Sequence, residues 1–234
     1  MIPYGKHHIN KDDIRAVIKV LKSNNLTQGP LINIFERAIA KYVGAKYAVA
    51  VASCTAGLHL AAIISNIKKG KTLLTSPITF VSTANSSLFC GGKTIFADTD
   101  SKINISTEEV SKICSKNKID AISPVHFGGL PCDMKKLKQI ADKYGATIYE
   151  DAAHAFGAKF SDGSRVGSCK YSDMTVFSFH PVKSIAMGEG GLITTNNRKI
   201  YERLLILRNN GIEKNSDNFI NKNKSKGKKI DNPW

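Results

Sequence analysis

Two observations predict an α/β fold with a mainly parallel central sheet. Short apolar runs rich in β-branched residues recur along the chain, at 47–52, 72–76, 94–97, 121–127, 147–151, 174–178 and 191–195. Between several of them lie stretches with helical spacing of apolar residues, so that strand and helix alternate and the sheet is covered on both faces. The 234 residues suffice for one well-buried α/β domain or two small ones.

Taken in order, the run at 47–52 (Tyr47-Ala48-Val49-Ala50-Val51-Ala52) reads as a strand, and 55–67, with leucines and isoleucines at helical intervals, as the helix after it. The strand at 72–76 leads to a helix at 82–89, and the strand at 94–97 to a helix at 107–115. After the apolar run at 121–127, Pro131-Cys132-Asp133 supplies a helix start and Gly145 a stop, which frames a helix at 134–144. The strand at 147–151 ends on an acidic pair, and those at 174–178 and 191–195 flank a glycine-rich connection. Residues 1–30 read as an N-terminal arm with a loop, 31–212 as the main domain, and 213–234 as a solvated stretch in which Lys222, Lys224, Lys226, Lys228 and Lys229 stand among asparagines and serines.

The net charge of +15 suggests an anionic partner, yet the lysines are dispersed and no basic helix or basic-aromatic interleaving accompanies them, so nucleic-acid binding is not expected. The five cysteines are widely spaced and odd in number, with no CxxC pair, so no zinc or redox site is expected and most should be buried thiols. The start of the chain has no apolar core of signal-peptide length, and no run approaches a membrane span. A cytoplasmic protein without a membrane partner is the expectation.

Several segments carry chemistry. Ser53-Cys54-Thr55-Ala56-Gly57 passes from a strand into a helix, which turns backbone N–H groups and the Thr55 hydroxyl toward a phosphate or, read alone, makes a simple N-cap. Lys69-Gly70-Lys71-Thr72 fails as a phosphate loop, because Ser65 occupies the place of the first glycine and a strand follows. Phe80 follows a strand end, where it can stack on a flat cofactor or simply join the core. Asp151 and His154 read alone as a helix N-cap and a polar first-turn residue. Glu150, Asp151 and His154 lack a convincing further ligand for a metal.

Lys183 changes the weight of all these. It closes Ser178-Phe179-His180-Pro181-Val182-Lys183, downstream of Glu150-Asp151-Ala152-Ala153-His154 and just before Met187-Gly188-Glu189-Gly190-Gly191. A pyridoxal phosphate enzyme needs such an ordered pair: a lysine to hold the cofactor as a Schiff base and a carboxylate to keep the pyridine nitrogen protonated. The Ser178 hydroxyl can take a phosphate oxygen, while the glycines permit close backbone approach.

In combination these segments resemble the DegT/DnrJ/EryC1/StrS family of nucleotide-sugar aminotransferases. The resemblance runs from Met1 to about Gly211 and rests on Ile2-Pro3-Tyr4-Gly5, on Leu26-Thr27-Gln28-Gly29-Pro30, and on the stretches 76–85, 124–134 and 171–183. It implies the large domain of a fold-type I aminotransferase with pyridoxal 5'-phosphate as cofactor. Lys183 matches the Schiff-base lysine, Asp151 the partner of the pyridine nitrogen, and His154 a position beside the cofactor that is often glutamine. Thr55, Ala56 and Ser178 match the phosphate cup, and Phe80 the aromatic residue over the ring. Tyr4 and Asn24, Asn25, Leu26 and Thr27 match positions of the sugar-nucleotide pocket.

The implied reaction aminates C4 of a UDP-linked 4-keto-6-deoxy-N-acetylhexosamine from L-glutamate, in pseudaminic acid biosynthesis, by a homodimer. A dehydratase on this fold carries histidine in place of the Schiff-base lysine, and Lys183 argues against it. A transaminase for another nucleotide ketosugar shares every cofactor residue and stays open, as does a non-catalytic product. The chain stops at Asp231-Asn232-Pro233-Trp234 where relatives continue, so the expectation is that the C-terminal small domain is missing.

Overall fold

The computed structural model describes residues 5–213. Tyr4 and all but the first residue of the lysine-rich stretch lie outside them. One seven-stranded sheet, in the order β1-β7-β6-β5-β4-β2-β3, organises the fold. Its strands are β1 (Tyr47–Val51), β2 (Thr72–Thr75), β3 (Lys93–Phe96), β4 (Ala121–Ser123), β5 (Thr147–Asp151), β6 (Met174–Ser178) and β7 (Gly191–Thr195). β7 runs antiparallel to both β1 and β6, whereas β6, β5, β4, β2 and β3 pair in parallel. The mainly parallel sheet expected from the sequence is therefore observed, and the ends of its parallel strands share one edge.

Helices cover both faces, as strands apolar on both sides require. On one face α3 (Cys54–Ile64) and α7 (Arg198–Arg208) pack over Val49, Leu58, Leu73, Tyr149, Val176, Ile193 and Leu204. On the other, α2 (Pro30–Val43), α5 (Thr107–Lys116) and α6 (Met134–Tyr144) enclose Val43, Val110, Leu137, Ile148, Phe177 and Phe179. Tyr149 and Ile148 belong to opposite cores because successive strand residues point to opposite faces. α4 (Val81–Leu88) follows β2 on the α3 face and presents Ser82, Thr83, Ser86 and Ser87 to the interior.

The helix boundaries follow capping chemistry. The Asp133 side chain caps α6 by accepting from Lys136 N, and Gly145 ends it in a left-handed conformation, as expected from the sequence. Three helices were not expected: α1 (Lys11–Leu21), inside the stretch read as an arm, together with α2 and α7. Asn10 caps α1 reciprocally with Asp13, and none of its residues is buried.

Three expected elements differ in extent. The run at 121–127 forms a strand only to Ser123, since Pro124 has no N–H for the ladder, and the chain then turns through a 3-10 segment at Phe127–Gly129. The helix expected over 55–67 starts at Cys54 and ends at Ile64, before Asn66 adopts a φ of 58°. No helix follows Asp151; the N–H of Ala155 donates to Ala152 O at 2.9 Å in a turn, so His154 is a turn residue. Cys114, Cys132 and Cys169 are buried, Cys54 and Cys90 half-buried, and all five thiols are free. No helix among the described residues is long and apolar enough to cross a membrane.

Candidate active site

The carboxyl edge of the parallel strands gathers most of the residues singled out in the sequence. Asp151 ends β5, Ser178 ends β6, Phe80 follows β2, and Ser53 to Ala56 join β1 to α3. β7 starts at that same edge with Gly191, opposite Ser178. A side chain at Gly191 would place its Cβ 2.5 Å from the carbonyl carbon and oxygen of Ser53, so only glycine lets β7 pass the start of α3 at this distance. Open α/β sheets place their ligands at this edge.

At the start of α3, Ser53 rather than Thr55 is the N-cap, accepting from Ala56 N at 3.2 Å. The Thr55 hydroxyl instead meets Ser82 Oγ of α4 at 2.7 Å. The helix terminus, the Thr55 hydroxyl and Ser178, whose Oγ accepts from His180 N at 3.4 Å, are the phosphate-type groups of this edge.

Asp151 is buried and held from two sides. Thr83 donates its hydroxyl to Oδ2 at 2.6 Å, and the N–H of Ala153 donates to Oδ1 at 3.1 Å. Glu150, on the opposite face, accepts from Thr175 at 2.8 Å, bonds His126 Nε2 at 2.6 Å and also takes the Ser172 hydroxyl. Glu150 and Asp151 thus diverge to opposite faces of the sheet.

Lys183 lies on the loop between β6 and β7, its N–H donating to His180 O at 2.9 Å. Phe179 roots this loop: its backbone pairs with Gly190 and Met187, while its buried ring meets Phe35 edge-on at 5.6 Å. The charges of Lys183 and Asp151 both act on Cys54 and His154, with opposite signs. Burial pushes the Cys54 thiol well up, the Asp151 charge adds to this, and Lys183 opposes it. Burial pushes His154 down, Lys183 pushes it further, and Asp151 opposes.

His154 therefore gives up its proton more readily than an ordinary histidine. The unfolded chain takes up the proton first, so its contribution to stability rises with pH across that range and is lost on acidification. An NMR titration of cofactor-free protein is expected to show His154 titrating below the ordinary histidine value. Lys183→Met should move the midpoint upward; an unmoved midpoint would separate the two residues.

The turn before His154 is shaped by the 3-10 segment. Phe127 lies edge-on to the His154 ring at 6.1 Å, and Gly129, at φ 87°, comes so close that a Cβ would sit 2.9 Å from His154 O. Phe80 is 72% exposed at the N-terminus of α4, which removes it from the core and leaves its ring free to cover a flat ligand. Asn24, Asn25, Leu26 and Thr27 occupy the exposed connection between α1 and α2, and no described contact joins them to Lys183 or Asp151. Next to them Gln28 lines a cavity of about 930 Å³ with Asn33, Ala52, Leu205 and Arg208. That cavity includes neither Asp151 nor Lys183. Ser82, Thr83 and Phe127 were not singled out from the sequence; the hydroxyl-rich face of α4 is the one local signal for the first two.

A sheet edge of this kind brings together a carboxylate held by two hydrogen bonds and the hydroxyls of a helix start, with a lysine on the loop that leaves it. The chain belongs to the DegT/DnrJ/EryC1/StrS aminotransferase family, whose model matches residues 7–232. The UDP-4-amino-4,6-dideoxy-N-acetyl-beta-L-altrosamine transaminase of Campylobacter jejuni is 40% identical over 216 residues, 92% of this chain and 56% of the relative. Helicobacter pylori PseC, an aminotransferase involved in the biosynthesis of pseudoaminic acid, superposes with a TM-score of 0.83 at 29% identity, covering 91% of this chain and 57% of that one. Spr1654 of Streptococcus pneumoniae in its PLP form gives a TM-score of 0.81 at 25% identity, covering 88% and 57%. The chain spans between 55 and 59% of the length of the curated relatives it matches. Pyridoxal phosphate is the family's cofactor, and the donor set here fits it: a buried carboxylate for a pyridinium, a primary amine on the loop after the adjacent strand, and a helix start with hydroxyls for a phosphate.

Proposed function

We propose that this chain is the cofactor-binding part of a transaminase that aminates C4 of a UDP-linked 4-keto-6-deoxy-N-acetylhexosamine, with L-glutamate as donor. The observation that carries this reading is that Asp151 and Ser178 end the adjacent strands β5 and β6 at one sheet edge, with Lys183 on the loop that leaves Ser178. The substrate class rests on the 40% identity to the Campylobacter transaminase. Pyridoxal phosphate supplies an electron sink for the negative charge that develops at the donor's α-carbon.

The chain's residues do the rest. Lys183 would hold the cofactor through its ε-amine, and the same amine would move the proton at the donor's α-carbon as base and acid. Asp151 would pair with the pyridine nitrogen and keep its proton in place. Thr55, Ala56 and Ser178 would hold the phosphate, and Phe80 would cover the ring. His154, whose proton is held less tightly than an ordinary histidine's, would lie beside the ring. Tyr4 and Asn24, Asn25, Leu26 and Thr27 belong to the sugar-nucleotide pocket.

The working form is a cytoplasmic homodimer, with pseudaminic acid biosynthesis as its setting. Exposed Phe80, Val81, Leu88 and Phe89 on and beside α4 form an apolar surface suited to a second copy. In domain terms, 31–212 forms the cofactor domain, 1–30 contributes the substrate segment, and the region beyond 212 leads toward the part of the relatives this chain does not span.

The decisive experiment incubates purified protein with [15N]glutamate and the UDP-4-ketosugar and follows the sugar by mass spectrometry. One 15N atom is expected in the product. Transfer only to a different nucleotide ketosugar would overturn the substrate assignment, and transfer to none would overturn the activity.

A further inference from the structure

We propose that Thr83, backed by Thr79, is the positioning residue for the Asp151 carboxylate. The inference rests on the role proposed above for Asp151 and goes beyond it, to the group that sets the orientation of that acid.

Hydrogen-bond bookkeeping gives the direction of each contact. An ionised carboxylate only accepts, so the 2.6 Å contact between Thr83 Oγ1 and Asp151 Oδ2 uses the single proton of the threonine hydroxyl. Phe80 O, 3.2 Å from the same hydroxyl, is the weaker competitor because it is farther away and uncharged. Thr79 Oγ1 lies 2.7 Å from Thr83 Oγ1 and, with the Thr83 proton already committed, must donate. The relay runs from Thr79 to Thr83 to Asp151. With Ala153 N–H on Oδ1, each carboxylate oxygen has one fixed donor, which sets the plane of the group and leaves further lone pairs for a ring N–H.

This hydroxyl is not what holds α4 in place. The helix is tied to the sheet independently, through Ser86 to the Tyr149 hydroxyl at 2.9 Å and through Ser87 to Thr94 at 2.6 Å. Thr83 itself is fully buried and its hydroxyl is the one side-chain donor on Asp151 among the described residues. A change there acts on the acid before it acts on the fold.

The test compares Thr83→Val, which keeps the shape without the hydroxyl, with Thr83→Ser, which keeps the hydroxyl. Each is titrated with pyridoxal phosphate, its absorption band is followed against pH, and the single-turnover reaction with glutamate is timed. A lost hydrogen bond to a buried charged acceptor is among the costlier ones, so Thr83→Val is expected to slow the half-reaction by ~10-fold or more. It should also shift the pH dependence of the absorption band, with the glutamate KM little changed. Thr83→Ser should restore most of the rate, and Thr79→Val should give the same spectral change in weaker form.

A wild-type spectrum and rate in Thr83→Val would overturn the proposal, as would a serine variant as impaired as the valine. Should Thr83→Val fail to fold, Thr79→Val decides, and wild-type behaviour there overturns the relay. Wild-type protein that takes up no pyridoxal phosphate would overturn the underlying reading as well, an outcome distinct from a Thr83 variant that binds and turns over normally.

Discussion

Lys183→Ala is expected to lose the borohydride-reducible attachment of pyridoxal phosphate and to lower amino transfer by about 10³-fold, within the range for a positioned acid-base group. Alanine removes the one atom that can both hold the cofactor and carry the proton. The variant should still fold, because Lys183 is half-buried on a loop whose root is Phe179, packed against Phe35 and Phe156. Peptide mapping after reduction checks the site directly: wild type should carry the mass increment on Lys183, and the variant none. An increment on another lysine, with transfer undiminished in Lys183→Ala, would remove this residue from the chemistry. Added methylamine offers a second check, since an external base should return part of the proton-transfer rate if that step is what the side chain supplies.

The sequence made β5, β6 and β7 legible to their end residues because each is a continuous apolar run bounded by glycine, an acid or a polar loop. Lys183, Asp151, Ser178 and Phe80 were equally legible, being carried by the ends of strands and the loops after them. α1 and α2 left readable marks: Asn10 with Asp13 for one, and Gly29-Pro30 with Gly44 for the other. The apolar face of α1, with Ile14, Val17, Ile18 and Leu21, is exposed among the described residues, so periodicity alone does not say what it packs against.

Thr83 and His126 were illegible for a different reason. Their meaning depends on partners 68 and 24 residues away, joined only when strand order sets α4 against β5 and places β4 beside β5. Short-range rules see a serine- and threonine-rich helix and a histidine after a strand. The sheet supplies the rest.

The second large effect is expected at that buried histidine pair. Glu150→Ala should destabilise the protein by about 3–5 kcal/mol, from a buried cavity together with buried donors left without an acceptor. Both Glu150 and His126 are shut off from solvent. The N–H of Cys132 donates to His126 Nδ1 at 3.1 Å, so the ring proton bonded to Glu150 sits on Nε2. Alanine at 150 would leave that N–H and the Ser172 and Thr175 hydroxyls without their shared acceptor, besides opening a cavity. Glu150→Gln keeps the volume and one oxygen, so its loss should be smaller, about 1–3 kcal/mol. Denaturant unfolding at unchanged slope measures both values. The damage should also reach the site, because the His126 backbone N–H donates to Asp151 O at 3.1 Å and the turn it begins presses on His154. Faster hydrogen exchange at Phe127 to Gly129 in Glu150→Ala is therefore expected alongside the lost stability. Unfolding unchanged to within about 1 kcal/mol would mean that His126 finds another acceptor, and that the pair does not anchor this turn.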